Sequence, residues 1–445
     1  MSELNEDQLK VIDYIENSKN QILLFINGKA GTGKSYLIKY ITEKFLHFNF
    51  ILSAFTGIAA NNIYGQTLHK LFQLDISNND NYINFSCPFD NYSILLHENK
   101  KKILKKNNEI KFDKDYKLNF FIIDEVSMIS KPLLNFINKS LQFIFEDNKL
   151  FGGINVLLIG DIFQLFPVKS ELLFFENDYI KNFNYIELCI VERQKSDEEF
   201  LNICNKIRIN DKLDKNQINK IKERKYVEGI VNVSEITFIY PTNEQVKIHN
   251  YNVLKSLNKK IYKIQSIDIQ HTITDGYTCL DNNKFVYNGL EKEINVCIGA
   301  KIIITKNIYN LNVFNGSLGI IKDINTYNDE AESIIVTIAN EDIVITRVCE
   351  KIEVVIHKKK KYENFVISER HMFPIKLAWA LTVHKSQGLT LDKVVVDIGK
   401  RNFTYGQVYV GISRVRSFND IYFMNTNNIT IITSKKCLDF IKNNL

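Results

Sequence analysis

The sequence predicts an α/β fold in which buried parallel strands alternate with helices, together with a smaller region of antiparallel strands. Four apolar runs between residues 21 and 194 each lead into polar side chains or a glycine-rich loop, as buried parallel strands do where ligands gather. The stretch INGKAGTGKS (26–35) stands between one such run and a helical pattern. Around 295–370 the hydrophobic period becomes two, which predicts a small antiparallel barrel.

Length and composition set the scale of this fold. The chain has 445 residues, which is enough for about three domains. Its content of 45% hydrophobic and 24% charged residues is typical of globular proteins. The formal net charge of +6 is compatible with a polyanionic partner but does not indicate one by itself.

The seven cysteines predict free thiols rather than a disulfide framework or a metal site. None forms a C-x-x-C pair and none is clustered with histidine along the sequence, so we expect buried thiols in a reducing compartment. The chain opens without a basic and then apolar leader, and it has no uninterrupted apolar run of 18 residues. These features predict a protein that is neither secreted nor membrane-spanning.

Three further segments complete the expected organisation. A helix is predicted over 6–17, with Asn5 as its N-cap and with Leu9, Ile12 and Ile15 on one face. Residues 75–117 are polar, Asn-rich and partly basic, which predicts an insertion that protrudes from the first domain. After the antiparallel region, IKLAWALTVHKS (375–386) has a helical pattern and KVVVDI (393–398) has that of a strand.

Residues 28–35 fit the pattern of a phosphate-binding loop, G-x-x-x-x-G-K-[ST]. Glycines such as Gly28, Gly31 and Gly33 let backbone N–H groups approach phosphate oxygens, and the following helix points its positive end at the anion. Lys34 would reach the β- and γ-phosphates, and Ser35 would ligate Mg²⁺. The alternative is a glycine turn at a helix start, and the strand before and helix after the loop argue against it.

Polar groups also follow the next two apolar runs. Asp124 and Glu125 come directly after one run, where one carboxylate can hold Mg²⁺ through its water shell and the other can orient an attacking water. Gln164, in GDIFQL (160–165), could hydrogen-bond a γ-phosphate or that water. On this fragment alone, a polar loop residue is the simpler interpretation of Gln164.

Two arginines and one polar motif are further candidates. Arg193 ends IELCIVER and Arg414 lies in GQVYVGISRV, and phosphoryl transfer needs positive charge at the terminal phosphate. Spacing alone assigns neither arginine, since a single arginine is usually a surface residue. The stretch TVHKSQGLT (382–390) offers hydroxyls, His384 and Lys385 to a phosphodiester backbone, and a helix cap followed by a turn explains it equally well.

Together and in order, these motifs resemble the Pif-one-like 5′-to-3′ DNA helicases of superfamily one, subfamily B, which are related to the RecD-like helicases. The resemblance runs from about Leu4 to Phe423 and omits only two variable insertions. The matched motifs are LNEDQ (4–8), GKAGTGKS (28–35), AFTGIAA (54–60), GQTLHKLF (65–72), IDEVSM (123–128), FGGINVLLIGDIFQLFPV (151–168), VERQ (191–194), IYPTNEQVKIHN (239–250), FNGSLGII (314–321), WALTVHKSQGLTL (379–391) and GQVYVGISRV (406–415).

The resemblance implies a role for each matched position. The implied catalytic residues are Lys34, Asp124, Glu125, Gln164, Arg193 and Arg414, with the two arginines approaching from the second core domain. The implied nucleotide-binding residues are Gln8, which would read adenine, and Gly28, Ala30, Gly31, Thr32, Gly33, Lys34, Ser35, Arg193 and Arg414, while Ser35 and Asp124 would hold the metal. The implied DNA-contacting residues are Thr56, Gly57, His69, Phe166, Pro167, Thr382, His384 and Lys385.

The sequence departs from the family pattern at two places, and the family pattern also implies how the chain divides into domains. Phe166 stands where the family usually has the first of two prolines, and GIS (411–413) replaces ALS. The implied fold has two RecA-like P-loop NTPase domains with a wedge insertion and an SH3-like β-barrel insertion. The implied domains are 1A (1–74 and 118–190, ATP-binding), 1B (75–117, the wedge), 2A (191–294 and 371–445) and 2B (295–370, SH3-like).

The implied activity is that of an ATP-dependent, DNA-stimulated 5′-to-3′ DNA helicase that acts in replication, repair or recombination, with ATP and Mg²⁺ as cofactors. The expected partners are single-stranded DNA and forked or structured DNA, with no membrane partner, and the protein is expected to be a monomer. Its expected location is the cytoplasm or nucleoid if it is bacterial, or an intracellular replication site if it is viral.

Three other functions remain open from the sequence. One is a DNA-stimulated ATPase that translocates but separates strands poorly, and another is a helicase or translocase whose main track is RNA. The third is a nucleotide-switched binding module such as a loader. The presence of Lys34, Glu125 and Arg414 together argues against the binding module, because all three are needed for turnover.

Overall fold

The computed structural model describes residues 3–72, 119–167, 172–229, 235–271, 289–358, 361–399, 404–427 and 429–444, with residues 74, 170, 233 and 287 between them. The predicted wedge insertion at 75–117 lies outside the described residues. The chain forms two compact units, one of residues 1–230 and 383–445 and the other of residues 231–382. The predicted boundaries of the four domains stay a prediction.

The first part of the first unit alternates strands and helices. Its strands are β1 (Leu23–Gly28), β2 (Phe50–Ala54), β3 (Gln66–Thr67), β4 (Phe120–Asp124), β5 (Asn155–Gly160) and β6 (Asn184–Leu188). Its helices are α1 (Glu6–Asn17), α2 (Lys34–Lys44), α3 (Gly57–Asn62), α4 (Leu68–Leu71), α5 (Lys131–Phe145), α6 (Glu198–Ile209) and α7 (Lys215–Glu223).

The six strands form one parallel sheet in the order β3-β2-β4-β5-β1-β6. Alternate residues of each strand face opposite sides, so Leu24 and Ile26 pack with α1 and α2, whereas Phe25 packs with α5. Because all strands run the same way, the ends of β1, β4 and β5 lie along one edge of the sheet. The predicted α/β class with parallel buried strands is confirmed.

Helix α1 shows one difference from the sequence prediction. Asn5 caps it as predicted, and Gln8 completes a capping box. The buried apolar positions are Val11, Ile12 and Ile15, whereas Leu9 is 45% exposed. The prediction for Leu9 is wrong because Gln8 takes the inward position in the first turn, where its amide bonds to a backbone carbonyl.

The second unit is mainly antiparallel. Its elements are β7 (Thr237–Tyr240), α8 (Asn243–Ser256), β8 (Tyr262–Gln265), β9 (Ile267–Gln270), β10 (Glu293–Val296), β11 (Lys301–Ile304), β12 (Leu318–Tyr327), β13 (Glu330–Ile338), β14 (Glu341–Ile345), β15 (Val348–Lys358), β16 (Lys361–Met372), β17 (Ile375–Leu377) and β18 (Ala380–Thr382). Two antiparallel sheets have the orders β14-β13-β12-β11-β17 and β15-β16-β9. The antiparallel pairing agrees with the period of two, while the SH3-like barrel stays a prediction.

The segment 375–386 is not the predicted helix. It forms β17, which pairs with β11, then β18, which pairs with β7, and only its last four residues are helical. Asn250 on α8 holds the connection, since its amide donates to the carbonyls of Leu377 and Ala380 and accepts from the N–H of Ala380. A short apolar run fits either period, and strand pairing decides here.

The first unit is completed by α9 (Val383–Ser386), β19 (Val394–Asp397), α10 (Gln407–Ile412), β20 (Ile421–Met424) and α11 (Lys435–Asn444). The predicted strand at 393–398 is β19, which pairs in parallel with β20. Helix α11 packs on the face of the six-stranded sheet that carries Phe25, where its Phe440 ring lies 6.0 Å from the Phe25 ring.

The described cysteines are free, as predicted, but not all are buried. Cys204, Cys297 and Cys437 are buried, whereas Cys189 and Cys349 are exposed, so the prediction of buried thiols is wrong for those two. Cys87 and Cys279 lie outside the described residues. None of the helices in the described part of the chain combines the length and hydropathy needed to cross a lipid bilayer.

Candidate functional site

The loop between β1 and α2 is shaped by glycines that no other residue could replace without strain. Gly31 and Gly33 have φ angles of +85° and +77°, in the left-handed region that favours glycine. A Cβ on Gly31 would lie 2.7 Å from Cβ of Arg193, and one on Gly33 would lie 2.7 Å from Nε2 of Gln8. The loop is therefore enclosed by Gln8 on one side and by Arg193 on another.

Lys34 is folded back onto this loop. Its Nζ donates to the carbonyl oxygens of Gly28 at 2.7 Å and Lys29 at 2.9 Å. Burial lowers the pKa of Lys34, and the carboxylates of Asp161, Asp124 and Glu125 oppose that shift. The ammonium group thus sits in a buried position beside three acidic side chains.

Ser35, Asp124 and Glu125 form the acidic end of the site. The Ser35 hydroxyl lies 3.4 Å from Oδ2 of Asp124, and Oδ1 of Asp124 accepts from the N–H of Glu125 at 2.8 Å. Burial raises the pKa of Asp124, and burial together with the Asp124 carboxylate raises the pKa of Glu125 to about 8. A hydroxyl and a carboxylate at this spacing are hard oxygen ligands, which fit Mg²⁺.

Glu125 is oriented from two directions. Its backbone is left-handed, with φ +57° at the end of β4. Gln387, the residue after α9, donates from Nε2 to Oε2 of Glu125. An unusual backbone angle and a partly buried side-chain hydrogen bond together fix the carboxylate, as expected for a residue that must hold one orientation.

A cavity of about 250 Å³ joins these groups. Its lining includes ten residues for which the family resemblance implied a role in binding or hydrolysing the nucleotide: Ala30, Gly31, Gly33, Lys34, Ser35, Asp124, Glu125, Gln164, Arg193 and Arg414. The other lining residues are Tyr36, Asn62, Gly160, Asp161 and Gly388. Residues far apart in the sequence thus converge on one concave site beside the phosphate loop.

The two arginines are held by backbone carbonyls at the cavity wall. Arg193 donates from Nη1 to the carbonyl of Ser413 at 2.7 Å. Arg414 donates from Nε to the carbonyl of Val410 at 2.7 Å, and its side chain is 2% exposed. Burial lowers the pKa of both guanidinium groups, and the charge of Arg193 contributes to the value of about 9 for Arg414.

Asp161, at the end of β5, is the centre of a buried polar network. Arg208 donates to its Oδ1 from Nη2 at 2.9 Å and from Nε at 3.1 Å. The hydroxyl of Tyr409 donates to its Oδ2 at 2.9 Å and accepts from the N–H of Ala30 at 2.8 Å. Burial raises the pKa of Asp161, but Arg208 and Lys34 outweigh it and leave the pKa below its ordinary value.

This network ties the phosphate loop to α6 and α10. Arg208 lies on α6 and Tyr409 on α10, and both meet at Asp161. The carbonyl of Gly31 also accepts from the N–H of Glu192 at 2.8 Å. The loop is therefore supported by the same segments that carry the two arginines.

Three residues predicted for nucleotide binding lie beside the cavity rather than in its lining. They are Gln8, Gly28 and Thr32. Gln8 donates from Nε2 to the carbonyl of Thr32 at 3.1 Å and thereby holds the back of the loop. Gly28 ends β1, and its carbonyl accepts from Lys34. The adenine-reading role of Gln8 stays a prediction.

The residues predicted to contact DNA lie outside the lining of this cavity: Thr56, Gly57, His69, Phe166, Pro167, Thr382, His384 and Lys385. Thr56 caps α3, the ring of His69 packs on Phe55 at 5.2 Å, and Phe166 packs on Tyr405 at 5.0 Å. Thr382 is buried and belongs to the second unit, whereas the other seven belong to the first. Burial lowers the pKa of His69 and of His384.

Sequence reasoning missed the residues that support the site. Tyr409 and Gln387 lie inside quoted motifs but received no role. Arg208 lies on the apolar face of α6 with Cys204 and Ile207, and a charged residue on such a face indicates a buried partner. That signal was present in the sequence, but it does not say which carboxylate is the partner.

Comparison with known proteins agrees with this geometry. A model of the PIF1-like helicase family matches residues 3–223, and a second helicase family model matches residues 192–441. The ATP-dependent DNA helicase Pif1 of Campylobacter jejuni is 30% identical over 441 residues, which cover 91% of this chain and 89% of the relative. The ATP-dependent DNA helicase PIF1 of Danio rerio is 26% identical over 451 residues, which cover 99% of this chain and 64% of the relative.

Two solved structures are also similar along the whole chain. The crystal structure of the Pif1 helicase from Candida albicans matches with a TM-score of 0.79 and 26% identity, covering 100% of both chains. The crystal structure of Bacteroides Pif1 bound to ssDNA matches with a TM-score of 0.74 and 27% identity, covering 100% of this chain and 97% of the other.

The chain spans 64% of the full-length PIF1 of Danio rerio and 54% of that of Candida albicans. The Campylobacter jejuni relative, in contrast, is matched along 89% of its length. Since the motifs follow the family's order and most of the residues carried over for the nucleotide converge on one cavity, the resemblance found in the sequence is confirmed. The chain belongs to the PIF1-like helicase family.

Proposed function

We propose that this chain is an ATP-dependent 5′-to-3′ DNA helicase that hydrolyses ATP in the cavity beside the phosphate loop. The observation that carries this proposal is the convergence of Lys34, Glu125 and Arg414 on that cavity. These supply the three requirements of phosphoryl transfer, namely a cation for the phosphates, a carboxylate for the water and an arginine for the developing charge.

The loop is suited to a triphosphate. Lys34 now donates to two neutral carbonyls, and phosphate oxygens are charged acceptors that form stronger hydrogen bonds with an ammonium group. The N-terminus of α2 adds the positive end of its dipole at the same place. A structure of a Bacteroides Pif1 helicase in complex with ADP-AlF3 and ssDNA is similar to this chain, with a TM-score of 0.73.

Ser35 and Asp124 would hold Mg²⁺, which when bound supplies positive charge to the β- and γ-phosphates. Glu125 would orient the attacking water. Its raised pKa makes it a better proton acceptor than an ordinary carboxylate once it is ionised. Gln387 keeps its carboxylate directed by donating to Oε2. Gln164, in the cavity lining, is placed to contact the γ-phosphate or the water.

A direct structural path supports stimulation by DNA. The predicted DNA-contacting residues His384 and Lys385 lie on α9. The next residue, Ser386, accepts from Nη1 of Arg414 at 3.3 Å, and Gln387 contacts Glu125. A strand that shifts α9 would therefore move groups bonded to both Glu125 and Arg414. The four-domain division, with its wedge and SH3-like insertions, is part of this proposal.

Unwinding is energetically within reach of such a motor. Opening a duplex costs about 1.4 kcal/mol per base-pair step. The affinity for the phosphodiester backbone should fall as the salt concentration rises and should depend little on the base sequence.

A forked duplex with a 5′ single-stranded tail, incubated with ATP and Mg²⁺, tests the proposal. A fork of the same sequence that carries a 3′ tail is the matched control.

The expected result is strand release from the 5′-tailed fork and little from the 3′-tailed fork. Steady ATP hydrolysis on both forks without released strand would instead support a translocase that does not unwind. Absence of hydrolysis with DNA present would support a nucleotide-switched binding module. Stronger stimulation by oligo-U than by oligo-dT would indicate an RNA track.

A further inference from the structure

The β15–β16 hairpin of the second unit brings together side chains that the nucleotide site does not use. In its antiparallel register Cys349 lies opposite His371, and Lys351 lies opposite Glu369. Strand β9 pairs with the other edge of β16, and His271 follows its last residue. Cys349, Glu369 and His371 form one group, which we name the hairpin cluster.

The spacing within the hairpin cluster fits a tetrahedral metal ion. Sγ of Cys349 lies 3.4 Å from Oε2 of Glu369, and Nε2 of His371 lies 3.5 Å from the same oxygen. Zinc bonds to nitrogen, oxygen and sulfur of about 2.0–2.3 Å place neighbouring ligands of a tetrahedron about 3.3–3.8 Å apart. These two separations lie in this range, and all three ligand atoms lie within 4.8 Å of one another, so small side-chain movements would bring them to one metal ion.

His271 contacts the other oxygen of Glu369, while His371 has a ring nitrogen that is shielded from solvent. Nε2 of His271 lies 3.4 Å from Oε1 of Glu369. Nε2 of His371 is shielded from solvent and makes no hydrogen bond to the described residues. Its contact with Oε2 of Glu369 is long, at 3.5 Å, and a metal ion bound by both atoms would satisfy the nitrogen better.

The ligand types decide which ions fit. A thiolate and imidazoles are soft and borderline ligands that favour Zn²⁺ or Co²⁺ over Mg²⁺ or Ca²⁺. Ser35 and Asp124 offer only oxygen and suit Mg²⁺. The two sites therefore differ in the metal they select. We propose that the hairpin cluster is a second metal site, which binds Zn²⁺ through its three side chains and fastens β15 to β16.

The positive charge of Lys351 should weaken metal binding, and its removal is therefore a test of the site. Its Nζ lies 3.4 Å from Oε1 of Glu369, so it neutralises the carboxylate and repels a cation. Lys351→Met removes that charge while keeping most of the side-chain length. Because the Lys351 side chain is 52% exposed, the gain in metal affinity should be modest, up to about fivefold.

The test is a Co²⁺ titration of the whole chain in excess Mg²⁺, which fills oxygen sites, with absorption by thiolate-to-Co²⁺ charge transfer as the readout. The parent protein should show this absorption, and Zn²⁺ should remove it by competition. Cys349→Ser should abolish it, whereas Cys189→Ser, at the other exposed thiol of the described residues, should leave it unchanged. His371→Ala should weaken Co²⁺ binding by about tenfold or more.

Absence of charge-transfer absorption in both the parent protein and Lys351→Met would overturn the proposal, and so would absorption that survives Cys349→Ser. A metal site should also raise the thermal unfolding temperature of the parent on addition of Zn²⁺, and this rise should be missing in Cys349→Ser. An equal rise in both proteins would likewise contradict a site built on Cys349.

Discussion

The nucleotide cavity of the first unit and the hairpin cluster of the second unit both gather charged side chains, but in different surroundings. In the first, the side chains of Arg208 and Asp161 are 5% and 0% exposed. In the second, those of Lys351 and Glu369 are 52% and 15% exposed. Exposed ion pairs contribute little to stability, whereas a buried charge without its partner is very costly.

The difference follows from the two kinds of sheet. Parallel strands β1, β4 and β5 end together under covering helices, so the polar residues that follow them are buried and must satisfy one another. The β15–β16 hairpin is antiparallel, and the side chain of its Lys351 is 52% exposed. Substitutions of buried charged residues in the first unit should therefore be severe, and those of exposed ion pairs in the second unit should be mild. The following experiments test this difference.

The largest effect is expected for Arg414→Lys. The Arg414 guanidinium donates to four groups around the cavity, and a single ammonium cannot reproduce that planar arrangement. We expect kcat for ATP hydrolysis to fall by about 10³-fold or more. Arg416→Lys, at the exposed arginine two residues later, is the matched control and should keep the parent kcat. An unchanged kcat in Arg414→Lys would remove this residue from the mechanism.

Arg208→Met should lower the free energy of unfolding by about 3–5 kcal/mol, because Asp161 would stay buried and charged without its ion-pair partner. Lys322→Met breaks the exposed pair with Asp342 on β12 and β14, and it should change the free energy of unfolding very little. Urea unfolding of both variants measures the contrast.

A double variant tests whether the unpaired charge of Asp161 causes this loss of stability. Adding Asp161→Asn to Arg208→Met removes the unpaired charge, so part of the lost stability should return. If the two substitutions are simply additive, the ion pair is not the source of the effect.

The third prediction concerns pH. The native pKa of Glu125 is about 8, against an ordinary value of 4.5, so the folded state holds a proton that the unfolded state releases between these values. The free energy of unfolding should therefore fall as pH rises through this range. Glu125→Gln cannot ionise at this position, so its free energy of unfolding should fall less over the same range. Urea unfolding of the parent and of Glu125→Gln at about pH 5 and about pH 9, without Mg²⁺ or nucleotide, measures this difference. An equal loss of unfolding free energy in both proteins would contradict the raised pKa of Glu125.

The smallest effect at the nucleotide site is expected for Tyr409→Phe. The change removes the acceptor of the Ala30 N–H and one donor to Asp161, which costs about 1–3 kcal/mol of stability. Because the phosphate loop loses a support, KM for ATP should rise. Tyr405→Phe, at a tyrosine that is 42% exposed, should change neither quantity. Equal effects of the two changes would show that the hydroxyl bridge does not hold the loop.

Local chemistry made most of the fold and the centre of the site predictable. The sequence immediately around the glycines of 28–33, and around the polar residues that end β4 and β5, is enough to identify them. These positions were predicted correctly as strand ends and as a loop before a helix. The segment 375–386 was mispredicted because an apolar run of this length fits either period, and pairing with β11 and β7 decides it.

Contacts between distant residues could not be predicted. Arg208 is 47 positions from Asp161, and Tyr409 is 248 positions from it, so no local pattern joins them. The hairpin cluster was missed for the same reason, since Cys349 and His371 meet only through the register of β15 and β16.

The assigned roles of Lys34, Glu125 and Arg414 all require that the cavity beside the phosphate loop hydrolyse ATP when the chain is bound to DNA. The most direct test compares ATP hydrolysis by Lys34→Ala and Lys29→Ala, with and without oligo-dT, alongside the affinity of each for single-stranded DNA. Lys29 lies in the same loop and does not line the cavity. We predict that Lys34→Ala loses DNA-stimulated hydrolysis while its DNA affinity is kept, and that Lys29→Ala retains both. Hydrolysis by Lys34→Ala at the parent rate would contradict the account.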